Sequence, residues 1–281
     1  MRMGVWGRFR RHPMAMFGFA TVLVLCLAAL FSPFIAPHDP LLLDTSRRFV
    51  APLARAGFLL GTDELGRDTL SRLLYGGRIS LTVGLVAMGT TVVTGAVIGL
   101  VAGYSGGIVD AVLMRFVDTM LCFPQIFLLL VIAAFVPPSL ISIALIIGLT
   151  SWMEVSRIVR AEILHLKEQD FVLAARALGA SRWRIMFREL LPNIAAPLLV
   201  AATLRVASAV LAESYISYLG YGVQPPLASW GNMLTNAQGY FDTVPWLAIL
   251  PGAMITLTVM GFNFLGDGLR DALDPRLRMD N

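Results

Sequence analysis

Long apolar runs separated by short polar stretches dominate the chain. The first runs from Met14 to Ile35 with no charged residue inside it. At about 1.5 Å per residue a helix of that length reaches roughly 33 Å, enough to cross the hydrocarbon core of a bilayer. Further runs follow at Ile79–Tyr104, Val117–Val136, Leu140–Arg157, Ile194–Leu219 and Pro245–Leu265. The third and fourth form one nearly charge-free stretch, from Thr119 to Met153, divided by Pro137-Pro138-Ser139. Proline lacks the N–H that a helix ladder needs, so the pair marks a break. The pattern predicts an all-α, polytopic membrane protein with six transmembrane helices: one anchor helix ahead of a five-helix core.

Arg8, Arg10 and Arg11 precede the first run, as they would in a secretory signal. The run exceeds the roughly 7–15 residues of a signal core, and no small-x-small cleavage site follows, so it reads as a retained anchor. The chain divides into residues 1–36 (tail and anchor), 37–78 (external loop) and 79–281 (core), with a long cytoplasmic stretch at about 157–193 and a second external loop at about 220–243. With both termini placed inside, the inner segments hold most of the cations, from Arg2 through Arg115, Arg157, Arg160, Lys167 and Arg176 to Arg276 and Arg278. Arg47, Arg48, Arg55, Arg67, Arg72 and Arg78 gather in the first external loop, offset in part by Asp63, Glu64 and Asp68. This asymmetry favours a multi-pass protein of the cytoplasmic membrane with N- and C-termini inside.

Composition agrees. Of 281 residues 57% are hydrophobic and only 14% charged, against about 25% charged in soluble domains. The net charge of +4 is read as cytoplasmic-loop Lys and Arg beside membrane lipid rather than as a nucleic-acid surface. Cys26 and Cys122 lie in apolar runs and make poor disulfide partners.

The usual catalytic constellations are missing from the sequence. Its single lysine, Lys167, sits between Leu166 and Glu168, so the phosphate-cradling G-x-x-x-x-G-K-[ST] loop is absent. His12, His38 and His165 fall in separate loops, and G-x-S-x-G does not occur. No cofactor, metal or catalytic site is expected, and the chain does not read as an enzyme.

The most informative stretch follows the fourth run. A helical segment through Phe171, Val172, Ala174, Ala175 and Leu178 ends at Gly179, suited to a left-handed helix terminus. Ser181 suits the N-cap of a second short helix that stops at Pro192. Ala174 and Ala175 would let another surface approach closely.

Ala174-Ala175-Arg176-Ala177-Leu178-Gly179, followed by Leu191-Pro192-Asn193, resembles the coupling-loop signature of ABC importer permeases, with Leu173 where that signature has Glu. Gly61 to Asp68, Tyr218 to Pro226, Ala228 to Gly231 and Asn263 to Asp271 with Asp274-Pro275-Arg276 are similar to segments of its dipeptide, oligopeptide and nickel branch. The resemblance implies a permease that pairs with a second, homologous permease. It implies two ATP-binding subunits that hydrolyse ATP elsewhere, contacted through Ala174, Ala175, Arg176, Gly179, Leu191 and Pro192. An extracytoplasmic substrate-binding protein would deliver the cargo, di- or oligopeptide in preference to nickel or another small solute.

Three charges lie within or near spans: Glu154, Arg205 and Glu213. Such residues line a wet pathway or pair between helices, and both readings stand open. Asp63, Arg67 and Asp68 read first as caps of a short helix, and second as a docking site for the binding protein. Trp230 reads as a membrane-interface anchor, or as a contact for that protein. The alternative of another class is a self-sufficient secondary transporter or channel, which would place charges on a matched pair of broken helices at the midplane. The runs show no such pair.

Overall fold

The computed structural model describes residues 5–273. Arg2, the Asp274-Pro275-Arg276 segment and Arg278 lie outside them. Helices make up the described chain, in the order α1 (Val5–Arg11), α2 (Pro13–Leu30), α3 (Ser32–Ile35), α4 (Thr69–Ser105), α5 (Gly107–Leu121), α6 (Gln125–Phe135), α7 (Leu140–Leu149), α8 (Trp152–Leu166), α9 (Asp170–Ala177), α10 (Arg182–Arg184), α11 (Leu191–Asn193), α12 (Ala195–Tyr218), α13 (Trp230–Ala237) and α14 (Trp246–Leu273). Four of them, α2, α4, α12 and α14, are long and apolar enough to cross a membrane outright. Counting each of the bent pairs α5–α6 and α7–α8 as one span brings the total to six.

The helix starts are chemically specified. His12 precedes α2 and accepts the Ala15 N–H on Nδ1 at 3.2 Å, with Pro13 pre-set for the first turn. Asp68 caps α4 by accepting the Ser71 N–H at 2.9 Å. Helix α4 therefore opens at Thr69 rather than Ile79. The capping reading holds for Asp68, while Asp63 instead ties the loop ahead of it. One Asp63 oxygen accepts the Leu65 and Arg67 N–H groups, both at 2.9 Å, and the other takes Arg67 Nε at 2.6 Å and faces Arg72 Nε at 3.3 Å. Two of the cations that disturbed the charge count are thus neutralised inside the loop's own fold.

The third and fourth spans depart from the expected straight helices. Helix α5 starts at Gly107 and stops at Leu121; the chain then turns by 87° at Cys122-Phe123-Pro124 before α6. Pro124 supplies the cause, since its ring biases Phe123 away from the helical region. Helices α7 and α8 meet at 45° across Thr150-Ser151. There Thr150 Oγ1 donates to the Ile146 carbonyl at 2.8 Å and Ser151 Oγ to that of Ile147 at 2.6 Å. Hydroxyls bonded back to the preceding turn compete with the backbone ladder and bend a helix. Two bends of 87° and 45° thus interrupt runs that read as single spans in the sequence. The Pro137-Pro138-Ser139 break stands as expected, with Ser139 and Ser142 forming a reciprocal capping box at the start of α7.

Helix α4 is the axis of the bundle, packing against α2, α5, α7, α8 and α12. Its closest approach is to α8. Gly95, Gly99 and Gly103 recur at helical spacing and face Val155, Val159 and Ile163, which recur at the same spacing. Without water to expel, helices in a bilayer gain from close van der Waals packing, which small residues permit. Helix α14 lies against α2 and α12.

Trp230 corrects its expected position. It is 1% exposed, donates Nε1 to the Leu73 carbonyl at 3.0 Å, and its own N–H reaches Ser80 Oγ at 3.2 Å. It fastens α13 onto α4 from within the core rather than anchoring at an interface. Cys26 and Cys122 are both free.

Candidate functional site

The segment between α8 and α12 forms a hairpin at the end of the bundle opposite α13. Helix α8 runs on to Leu166, and Lys167 Nζ donates to the Gly103 carbonyl at 3.1 Å, joining the base of the hairpin to the end of α4. Helix α9 turns one residue inward: Val172 is fully buried and belongs to a cluster with Ile163, Ile185, Met186, Leu190 and Ile194. Leu173, Ala174, Arg176, Ala177 and Leu178 face out.

Gly179 ends α9 at φ +77°, where a side chain would be strained. Beside it Ala180 N–H bonds the Ala175 carbonyl at 3.0 Å, the six-to-one closure of a Schellman turn. Ser181 then accepts the Arg184 N–H on Oγ at 3.3 Å. The second helix is continuous through a π-helical stretch, Ile185–Leu190, into α11, so Pro192 sits within helix instead of stopping it; the turn comes at Ile194.

The anticipated residues divide accordingly. Ala174, Arg176, Gly179 and Pro192 are exposed, while Ala175 and Leu191 pack partly beneath them. Sequence reasoning missed the aromatic part of the surface. Trp183 and Phe187 stack with ring centroids 5.8 Å apart, both exposed, and Leu178 is 88% exposed. Their spacing of four residues on a short helix was the available signal. Large apolar groups bared among Arg176, Arg182, Arg184 and Arg188 form a surface suited to another protein.

The three span charges separate into two arrangements. Arg205 of α12 pairs with Glu154 of α8 through Nη2 and Oε2. Glu213 makes no contact with Arg205; it is wholly buried and accepts Ser80 Oγ at 2.8 Å and Ser217 Oγ at 2.7 Å. Ser80 is the residue that receives the Trp230 N–H, so Glu213 anchors α4, α12 and α13 together. Two further pairs join α5 to α8: Asp110 with Arg160 and Asp118 with Arg157.

A bundle of apolar helices with two broken spans and an exposed amphipathic hairpin is the architecture of a multi-pass membrane permease. Residues 95–279 match the family described as binding-protein-dependent transport system inner membrane component, and residues 3–52 match the N-terminal TM domain of oligopeptide transport permease C. The chain belongs to the binding-protein-dependent transport system inner membrane component family. It is 41% identical, over 97% of its length and 91% of the relative's, to a di/tripeptide transport system permease protein of Pseudomonas aeruginosa. It is 37% identical to a dipeptide transport system permease protein of Haemophilus influenzae, covering 97% of this chain and 94% of that one. An oligopeptide transport system permease protein of Bacillus subtilis is also 37% identical, with 96% and 88% covered. Family membership, rather than the absence of broken helices, decides against a secondary carrier or channel.

Proposed function

We propose that this chain is a permease subunit carrying di- or oligopeptides across the cytoplasmic membrane, both termini inside, with ATP hydrolysed on separate subunits. The observation that carries the reading is the hairpin: an exposed, apolar and basic surface mounted on a rigidly packed base. That construction suits a joint that receives force from another protein. Ala174, Arg176 and Gly179 would meet an ATP-binding subunit directly, with Ala175 and Leu191 supporting them from below. A second, homologous permease would complete the pathway, and two ATP-binding subunits would each take one hairpin. An extracytoplasmic binding protein would deliver substrate at the α13 end. The peptide assignment is supported by its similarity to the three peptide permeases named above.

The test is purification of the tagged chain in mild detergent, identification of what travels with it, and reconstitution of the assembly into liposomes. Recovery of ATP-binding subunits and a second permease, with ATP-driven uptake of labelled dipeptide, is expected. Uptake of nickel in place of peptide would overturn the substrate, and transport by this chain alone without ATP would overturn the assembly.

A further inference from the structure

Two breaks in the membrane-spanning helices meet each other. Gln125, the first residue of α6, donates Nε2 to Ser151 Oγ at 2.7 Å, and Ser151 is the residue from which α8 departs. One turn along α8, Glu154 pairs with Arg205 of α12. One turn further along α12 begins a groove of about 320 Å³ between α6 and α12, where Gln125, Ser208 and Tyr215 stand among apolar residues such as Leu129, Leu211 and Ile216; Glu154 and Arg205 lie outside its lining. Arg205 lies about 15 Å from the start of α12, a helix about 36 Å long, and so near the middle of that span.

One partner of the pair is open to its surroundings and the other is largely covered. Glu154 is 58% exposed and Arg205 20%. An ionised side chain near the middle of a span is costly to leave in lipid, and such residues face a wet cavity or the protein interior. Three other charges of α8 and α12 are engaged elsewhere: Glu213 by serine hydroxyls, Arg157 and Arg160 by the aspartates of α5. The contact through Nη2 and Oε2 leaves Arg205 with further N–H donors and Glu154 with a second oxygen.

Those remaining groups match one kind of ligand. A guanidinium fork fits a carboxylate, and a carboxylate fits an ammonium group. We infer that Glu154 and Arg205 form a subsite for a zwitterion: Arg205 takes the carboxylate of a short peptide with free termini, and Glu154 takes its ammonium. In the empty state the two side chains neutralise each other; with ligand present each is neutralised by the opposite terminus. Neither state strands an uncompensated charge at mid-span, where one would be strongly destabilising. The inference rests on the peptide reading above and adds the place and the groups by which the permease itself recognises the termini.

The experiment uses the intact transporter with Cys26 and Cys122 changed to serine and Ser208→Cys as a reporter in the groove. Labelling of this chain by a water-soluble maleimide is followed with alanyl-alanine, or with alanyl-alanine blocked by an N-acetyl group and a C-terminal amide. The reporter is expected to react, and the free dipeptide, not the blocked one, slows the reaction severalfold. Adding R205Q or E154Q raises the protecting concentration about tenfold, the change that loss of one charged contact produces. Co-purification of the partner subunits shows that these variants are assembled. An unreactive reporter, equal protection by both peptides, or unchanged protection in R205Q and E154Q would overturn the inference. Failure of the unmodified transporter to import dipeptide with ATP would overturn the peptide reading instead, so the two failures are told apart.

Discussion

Arg160 grips Asp110 at two points, Nε 2.5 Å from Oδ1 and Nη2 2.6 Å from Oδ2. The paired contacts bind the start of α5 to α8, whose far end leads into the hairpin. A bidentate Arg–carboxylate pair is stronger than an ordinary surface bridge, though this one is partly solvated. Asp110→Ala is expected to lower stability by about 1–2 kcal/mol. Arg160→Lys should lose most of the same amount, because an ammonium cannot reproduce the fork. Thermal unfolding of the detergent-purified complex measures both; a lysine variant equal to the parent would contradict the two-point geometry.

The glycine seam of α4 admits no side chain. A Cβ on Gly99 would strike the Ser156 carbonyl and lie 2.7 Å from Val159 Cβ. Overpacking of this kind costs about 1–3 kcal/mol, and more where backbone is struck. Gly99→Leu should separate α4 from α8 and deplete the protein from the membrane. Gly89, with open space around it, serves as the control: Gly89→Ala should accumulate normally.

Trp230 holds α13 by a bond that phenylalanine cannot make. Trp230→Phe removes the indole donor from the Leu73 carbonyl, which keeps its helical partner, so the expected loss is about 0.5–1.5 kcal/mol. Trp230→Ala adds a cavity, with a total of about 3–5 kcal/mol. Limited proteolysis between residues 219 and 245 should rank the variants in that order. Identical cleavage rates in all three proteins would refute the anchoring role.

Gly179 offers a different outcome from these structural sites. Its left-handed conformation disfavours a side chain, yet nothing surrounds it. Gly179→Asp should therefore disturb the hairpin surface and leave the bundle intact. Uptake is expected to vanish while membrane content and melting temperature change little. Normal uptake by this variant would remove the hairpin from the transport cycle.

Glu64 provides a pH test outside the membrane. Burial, and then the neighbouring Asp63 carboxylate, push its pKa above the usual glutamate value in spite of Arg67. The folded state thus favours the protonated acid. Its contribution to stability is full below the ordinary glutamate range and is lost as pH rises through the raised value. Glu64→Gln should melt higher than the parent at pH 8, and the gap should close toward pH 4. A gap independent of pH would contradict the assignment.

The six apolar runs, the Pro137-Pro138 division and the Gly179–Ser181 turn were legible because each depends on local chemistry. The two bends were not, because apolar residues continue through both Phe123 and Thr150. Pro124 was the overlooked signal for the first. Trp230 was misplaced because its flanking residues read as a loop, whereas its partners Leu73 and Ser80 lie more than a hundred residues away. The Glu154–Arg205 pairing joins residues 51 apart, a distance at which spacing along one helix says nothing. Sequence could state that these charges needed partners; only the packing of α8 beside α12 chose them.

Helix α4 spans 37 residues without interruption, about 55 Å of rod against a hydrocarbon core of about 30 Å. One end is tied to the hairpin base through Gly103 and Lys167, and the other to the capped loop and α13 through Asp68, Leu73 and Ser80. Such a rod works as a lever. A rigid rod pivoting about its middle moves its two ends in opposite directions, so the hairpin base and the α13 end are mechanically joined.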